Sequence, residues 1–382
     1  MRTVHFTHTF SRLSETFIYD YVKGLEKHGV DIHLMTLNLM NMDERPFENV
    51  QEVKLSLINP ERIIRRGIDL LRNRPMETSS WPVYRKKIRR ILLDLQPDTI
   101  HAHFGPMGAL ISPVAKSLAI PLVVTFYGYD ISEYALEDYW RAQYQELAKD
   151  ADAVTVLSEQ MKTEAVELGF HPGKTRVIHL GTDLSRFPKK SVNHPVRNFV
   201  SVGRLSEKKG HIDSIKSVQK ASFETGYPLQ LTIIGEGQLY HELQDYITEN
   251  NLENIVKLAG SRPNREVVKM LYDSDAFILS SKTAEKGDRE GTPTVLIEAQ
   301  AAGLPCVSTL HSGIPEIIPQ KNHELLAPEG DVDAISECIK TLTMASEAYV
   351  SECVDRGRKR VENEFNIELE TLKFKRLYEE LK

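Results

Sequence analysis

The chain has 382 residues, enough for two domains with separate cores, and its 41% hydrophobic and 27% charged residues exclude a disordered or fibrous class. The formal net charge of −6 hides an asymmetry: residues 61–90 hold ten Lys/Arg against Glu61, Asp69 and Glu77, about +7, leaving about −13 for the rest. Three cysteines (Cys306, Cys338, Cys353) without CxxC spacing point to reduced cytosolic thiols, and no apolar run reaches the ~18 residues that cross a bilayer.

Thr3–His8 reads as a strand that opens the chain without a charged-then-apolar leader, so a cytoplasmic protein is expected. A helix over Phe17–His28 follows, with Ile18, Val22 and Leu25 on one face; Gly29 closes it, and Val30–Leu37 is the next strand. In the basic block, Ile63, Ile64, Ile68, Leu70 and Leu71 interleave with Arg62, Arg65, Arg66 and Arg72. That pattern suits an interfacial helix on an anionic membrane, and equally a solvated helix over a domain core. A basic block in an acidic protein favours an anionic surface or substrate over nucleic acid. Thr99–His103, Leu122–Phe126, Ala153–Leu157 and Thr175–His179 are further strands separated by helices. A polar break at 185–198 precedes a second alternation through Phe199–Val202, Gln230–Ile234, Ile255–Leu258, Ala276–Leu279 and Pro305–Ser308, with a helix from about Gly210 after the first of these. The fold class is α/β: two Rossmann-like domains, 1–188 and 196–365, whose parallel sheets face across a central cleft that takes ligand at the carboxyl ends of the strands.

The most telling segment is Glu290-Gly291-Thr292-Pro293-Thr294-Val295-Leu-Ile-Glu298. Thr292 suits an N-cap and Pro293 the first helical position, so the backbone amides of Thr294 and Val295 point out from the positive end of a helix, where a phosphate binds. Glu290 outside the terminus and Glu298 inside it can accept from hydroxyls on either side of that phosphate. Alone, two glutamates there also simply favour a helix start. Arg204 and Lys209, in the loop after Val202, offer a guanidinium fork and a mobile ammonium for a diphosphate, although loop cations are commonly just solvated. Gly235 and Gly237 allow close backbone approach, but Tyr240 stands where a dinucleotide fingerprint has its third glycine. His103, Tyr127 and Asp130 end strands of the first half and suit the other wall of the cleft or its core. The pairs Asp150/Asp152 and Asp273/Asp275 precede strands, on the edge away from a ligand. They are read as turns, and no metal or cofactor is expected.

Taken together, these pieces resemble retaining glycosyltransferases of family 4, with the GT-B fold. The matching segments are Ser14-Glu-Thr-Phe-Ile18, His101-Ala-His-Phe-Gly105, Thr125-Phe-Tyr-Gly-Tyr-Asp130, His179-Leu-Gly-Thr-Asp183, Val202-Gly-Arg-Leu205 with Lys209-Gly210, Gly235-Glu-Gly237, and Glu290 to Glu298 with Ala301-Ala-Gly-Leu-Pro305. They cover nearly the whole chain, and the first two are most similar to bacterial enzymes of exopolysaccharide and other surface polysaccharides.

The resemblance implies a catalytic group of Glu290, Arg204, Lys209, His103 and Tyr127. It implies substrate contacts from Glu298, Ser14, Thr16, Asp130, Gly235, Gly237, Arg262, Gly291, Thr292, Pro293, Thr294 and Val295. Glu290 would hold sugar hydroxyls, Glu298 the ribose, Arg204 and Lys209 the diphosphate, and the segment to Arg262 would lie near the base. It also implies that residues 366–382 form a helix packing back on the first domain, with Ile367, Phe374, Leu377, Tyr378 and Leu381 as its apolar stripe. Tyr127 stands where many members carry a His, and a phenol with an ordinary pKa near 10 is a poor base.

The expected protein is thus a retaining, metal-independent hexosyltransferase. It would use a nucleotide-sugar donor, with UDP as nucleotide, and a glycan or lipid-linked acceptor. Rival readings are a GT-B nucleotide-sugar epimerase and a non-catalytic nucleotide-sugar binder. If residues 61–90 meet a membrane, the protein will co-sediment with anionic but not neutral vesicles; equal binding to both, or to neither, removes that reading.

Overall fold

A computed structural model describes residues 1–12, 15–55, 75–189 and 191–382. The chain divides into two compact units: residues 1–178 with 371–382, and residues 179–370.

Unit 1 is built on seven strands: β1 (Arg2–Phe10), β2 (Asp31–Leu39), β3 (Val50–Glu52), β4 (Thr99–His103), β5 (Leu122–Thr125), β6 (Ala153–Val156) and β7 (Thr175–Val177). They lie in the order β3-β2-β1-β4-β5-β6-β7, every neighbouring pair parallel. Parallel strands need crossovers, and the amphipathic helices Thr16–Lys27, Trp81–Leu95 and Gly105–Leu118 supply them. Covered on both faces, β4, β5 and β6 are buried at every residue. β1 runs two residues beyond its expected end because Thr9 and Phe10 still pair with Asn38 and Leu39. β3 is too short to show alternation and exists through its register with Leu34–Thr36. β7 stops at Val177, short of His179.

The helix Ile367–Leu381 contributes residues 371–381 to this unit. Phe374, Leu377 and Tyr378 are buried there, Phe374 edge-on to Tyr21 at 5.1 Å. A Cβ added to Gly24 would stand 2.7 Å from Cγ2 of Thr371, so glycine permits that close packing. Lys375 Nζ donates to the His28 carbonyl (3.0 Å), and Arg176 pairs with Glu380 (2.7 Å). Ile367, in the first turn, belongs to unit 2 and donates its N–H to the Thr182 carbonyl (3.1 Å).

Unit 2 repeats the scheme with β8 (Asn198–Val202), β9 (Gln230–Ile234), β10 (Val256–Gly260), β11 (Ala276–Leu279), β12 (Cys306–Thr309) and β13 (Leu326–Ala327). Their order is β10-β9-β8-β11-β12-β13, again all parallel. Alternate residues feed opposite layers. Phe199 and Ile278 join one core with Ile215, Leu243 and Ile339, while Val200 and Phe277 join the other with Leu271, Leu296 and Val361. Phe187 packs in this second core, which ties the segment after His179 to unit 2. Asp275 accepts from the amides of Arg197 (3.0 Å) and Asn198 (2.8 Å), and Asp152 from that of Leu122 (2.9 Å). Both carboxylates thereby hold strand starts.

In each sheet the order reverses beside the first strand, between β1 and β4 and between β8 and β11. Loops diverge there and leave a crevice at the carboxyl edge. Tyr378 anchors the terminal helix through a 2.6 Å bond from its hydroxyl to His101 Nδ1. Tyr378→Phe is expected to cost about 1–3 kcal/mol for the stranded imidazole, and Tyr378→Ala about 3–5 kcal/mol for the lost ring, both measured by urea denaturation.

Candidate functional site

In unit 2 the loops leaving β8 and β9 are strapped together. The Gly203 N–H donates to Ile234 O (3.0 Å) and the Leu205 N–H to Glu236 O (2.8 Å). Gly235 has φ 153°, and a Cβ there would strike the Gly203 carbonyl; a Cβ at Gly237 would strike the Leu205 backbone. The Gly-x-Gly pattern therefore serves a backbone crossing between two loops. The stem of Lys209 lies over Gly203, where an added Cβ would come 3.2 Å from its Cδ and Cε. Arg204 is exposed, and its carbonyl accepts from His211 Nε2 (3.2 Å). Burial, then the Lys209 charge, hold His211 down at about 4, so this imidazole is neutral at physiological pH.

Lys209 Nζ meets Glu290 Oε1 at 3.0 Å, with both side chains about nine-tenths buried. The pair is not aligned as a hydrogen bond, which leaves Oε1 a buried oxygen held by charge. Burial pushes the Glu290 carboxyl up, but the ammonium groups of Lys209 and Lys208 outweigh it, and the net direction is down. Glu290 is thus an ionised acceptor at neutral pH. Lys208, which the sequence did not single out, is itself buried and pairs with Asp288 (2.8 Å). The Glu290 N–H donates to His311 Nε2 (3.1 Å), whose Nδ1 meets Glu329 Oε1 at 2.7 Å.

The helix after this loop runs Thr294–Ala301 with Pro293 at its N-cap, ψ 107°, and no side-chain cap bond. This corrects the expected start by one residue: Pro293 keeps an extended ψ and is itself the N-cap, so Thr292 lies one residue before the cap position. The first-turn amides are still those of Thr294 and Val295, both half-buried, while Gly291, Thr292 and Pro293 are buried beneath. Glu298 follows Thr294 by one turn and is half-buried. Arg262 is exposed and meets Glu266 at 3.9 Å. The structure therefore joins Lys209 directly to Glu290, and Gly235 and Gly237 to the loops carrying Arg204.

In unit 1, β1 and β4 set His5 opposite His101, and the two-residue period brings His103 onto the same face. His5 Nδ1 lies 3.0 Å from His103 Nε2, and His103 Nδ1 lies 2.6 Å from the Tyr127 hydroxyl. Ring nitrogens of His5, His101 and His103 come within 4.8 Å of one another, close enough for a cation. Their directions oppose one. His101 and His103 stack at 4.4 Å, so their in-plane lone pairs do not converge, and His101 spends both nitrogens on Tyr378 and Thr125.

Burial holds His5 down at about 3 and depresses His101 and His103 as well. Each neutral ring has one donor and one acceptor, so their tautomers are coupled. His5 Nε2 is buried without a partner. A bare lone pair there costs less than an orphaned N–H, which favours His5 Nδ1–H donating to His103 and His103 Nδ1–H donating to Tyr127. Tyr127 then keeps its own proton to donate. Burial, then the Asp130 charge, raise its phenol well above the ordinary range, so Tyr127 acts as a donor and not as a base.

Asp130 is fully buried and accepts from the amides of Gly105 (2.9 Å), Tyr127 (2.9 Å) and Gly128 (3.0 Å). Burial raises it to about 6 against those bonds. It holds the loop that presents Tyr127. Thr16 opens the helix Thr16–Lys27, and Ser14 lies outside the described residues.

A buried lysine–glutamate pair, glycine-crossed loops and a helix start thus meet at the switch point of a parallel α/β sheet, the place where proteins of this class take their ligands. Residues 14–186 match the family described as Glycosyltransferase Family 4, and residues 185–360 match Glycosyl transferases group 1. The putative colanic acid biosynthesis glycosyltransferase WcaL of Escherichia coli K12 is 32% identical over 281 residues, covering 72% of this chain and 69% of that one. The amylovoran biosynthesis glycosyltransferase AmsK of Erwinia amylovora is 36% identical over 274 residues, 70% of this chain and 67% of that one. Anabaena HepE, solved in complex with UDP and glucose, matches in fold with a TM-score of 0.77 at 16% identity over the full length of both chains. The chain belongs to the family 4, group 1 glycosyltransferases, and its fold is GT-B.

His5, Lys208, Asp288, His311 and Glu329, and the bond of Tyr378 to His101, escape sequence reasoning because the partners are distant in the chain. Only the Thr-Ile-His-Ala-His run, polar histidines in a buried strand, was a signal to follow. The neutral histidines give a pH dependence. The unfolded chain takes up their protons near pH 6.5 and the folded one does not, so stability falls as pH drops below about 6.5. Asp130 acts oppositely as pH falls from about 6 toward 4, one group against these three and His211. His101→Gln, which removes one titration, is expected to flatten the slope of unfolding free energy between pH 7 and 5 by at most ~1.4 kcal/mol per pH unit.

Proposed function

We propose that the chain is a retaining, metal-independent hexosyltransferase. It moves a hexose from a nucleoside-diphosphate sugar, with UDP as the nucleotide, to a hydroxyl of a glycan or lipid-linked oligosaccharide during polysaccharide assembly. The observation that carries this reading is the buried 3.0 Å pair of Lys209 with an ionised Glu290, four residues before the helix start at Thr294. A diphosphate competes with Glu290 for the Lys209 ammonium. Glu290, relieved of that cation, accepts from sugar hydroxyls, and the Thr294 and Val295 amides meet phosphate oxygens. Arg204, exposed on the crossed loops, supplies the second cation, and Glu298 takes the ribose. Charge for the leaving diphosphate comes from these side chains, the role a metal would otherwise fill.

Tyr127 stays protonated at neutral pH, so it can donate a hydrogen bond and does not serve as the base for the acceptor proton. This supports same-face attack, with the leaving diphosphate accepting that proton. The biosynthetic setting follows the names of the relatives in colanic acid and amylovoran biosynthesis. No helix among the described residues is long and apolar enough to cross a membrane. Peripheral contact through residues 61–90 stays part of the proposal; 56–74 lie outside the described residues, and Trp81–Leu95 is helical.

Incubation with a panel of UDP-hexoses, with slow donor hydrolysis as readout, tests the reading. Free hexose and UDP are expected, whereas a C2-inverted hexose without acceptor would mark an epimerase. Arg204→Ala and Lys209→Ala are each expected to weaken UDP and intact donor alike, by roughly 1.5–3 kcal/mol per charged hydrogen bond. Glu290→Ala should keep UDP affinity and lose turnover by orders of magnitude. Glu298→Ala should weaken both ligands. Calorimetry with UDP beside turnover gives the pattern. A Glu290→Ala variant that lost UDP as badly as Lys209→Ala would overturn the order of groups.

A further inference from the structure

The 14 residues between β11 and the helix at Thr294, 280–293, form no regular element, yet they carry the glutamate assigned to the sugar. A loop of that length does not by itself hold a carboxylate to a fraction of an ångström. One carboxylate from elsewhere in unit 2 holds the loop at two points, directly at Thr283 and through His311 at Glu290. Glu329, two residues beyond β13, accepts from the Thr283 N–H through Oε2 (2.7 Å) and binds His311 Nδ1 through Oε1 (2.7 Å). His311, two residues beyond β12 and wholly buried, accepts from the Glu290 N–H through Nε2 (3.1 Å).

The chemistry of this relay is determined at both termini. A backbone N–H only donates, so Nε2 must present its lone pair; Nδ1 therefore carries the proton and donates it to Glu329. Glu329 is held below the ordinary carboxylate range: burial pushes it up, but the Thr283 amide and His311 outweigh that. An ionised acceptor at one end thus orients a ring whose other end fixes the peptide of Glu290. The remaining anchors are cruder. The Lys282 amide donates to Lys208 O (2.9 Å), the Glu285 amide to Glu207 Oε1 (3.1 Å), and Lys208 Nζ to Asp288 Oδ1 (2.8 Å); only a long 3.4 Å contact from Lys208 Nζ to the Arg289 carbonyl reaches the peptide that carries the Glu290 N–H.

We propose that His311 and Glu329 are positioning residues for Glu290, a clasp that closes the 280–293 loop and sets where the Glu290 carboxylate stands toward the transferred sugar. The inference rests on the reading of Glu290 as the sugar-contacting group. The clasp touches no ligand. It acts on turnover and leaves the Lys209 and Arg204 contacts with the diphosphate alone.

The test measures hydrolysis of UDP-glucose and UDP-galactose, calorimetric affinity for UDP, and backbone hydrogen exchange over 283–290. It uses wild type, His311→Ala, His311→Gln, Glu329→Ala and Glu290→Ala. For His311→Ala and Glu329→Ala, kcat is expected to fall by ~10–100-fold, the scale of a misplaced catalytic group, with the UDP Kd unchanged within about twofold. Exchange over 283–290 should speed up. In His311→Gln the side-chain oxygen can accept from the Glu290 amide, and most of the lost kcat should return. A merely structural histidine would not be rescued in this way, and its loss would weaken UDP in step with turnover. Wild-type kcat in His311→Ala, an equal loss in His311→Gln, or parallel loss of UDP affinity overturns the clasp. If His311→Ala does not fold, Glu329→Ala and His311→Gln decide by the same criteria. Full turnover in Glu290→Ala sinks the functional reading instead, whatever the clasp variants do.

Discussion

Parallel pairing constrains this protein more than any other interaction. A strand that runs beside its predecessor in the same direction needs a crossover, so every strand ends on the same edge of its sheet. In unit 2 that edge gathers the loops after β8, β9, β11, β12 and β13. Lys209, Gly235, Glu290, His311 and Glu329 come together there although they span 121 residues of chain. The strand order reverses between β8 and β11, so their two loops part and leave room for a ligand.

The charges at that edge are buried and balanced in a way an ordinary surface is not. Lys209 with Glu290 and Lys208 with Asp288 stand side by side, and Lys282 pairs with Asp213 at 2.8 Å behind them. Removing charges from water costs several kcal/mol per ion, and such pairs contribute little stability compared with apolar packing. On the proposed function they suit a site that exchanges one anion for another, with a phosphate taking the place of the Glu290 carboxylate at Lys209. Unit 1 solves a different problem. Besides the buried Asp130 carboxylate, it holds neutral histidines joined to Thr125, Tyr127 and Tyr378, a network that orients a hydroxyl and itself carries no charge.

The local grammar of this chain is legible in one dimension. Alternating buried strands, helix closures such as Gly29 and the restart after residue 185 need only neighbouring residues to be read. The Glu290–Glu298 segment is likewise contiguous: the glutamates, the proline and the first-turn amides follow from a single helix start. Even there the start shifted by one residue, because the ψ of Pro293 answers to the packing of the buried loop before it.

Sequence by itself therefore determined the α/β class, the two parallel sheets and the family, together with the residue types able to hold a diphosphate and a sugar. Tertiary structure alone decided which of those residues meet. Tyr378 reaches His101 across 277 positions, and the Glu290 amide reaches His311 across 21. It also decided that Asp130 staples a loop, and that the coupled tautomers of His5 and His103 favour a Tyr127 hydroxyl that keeps its proton to donate. The reason is physical. Propensity and periodicity act over a few residues, whereas hydrogen bonds, desolvation and charge depend on distance in space, which the chain acquires only when its strands have paired.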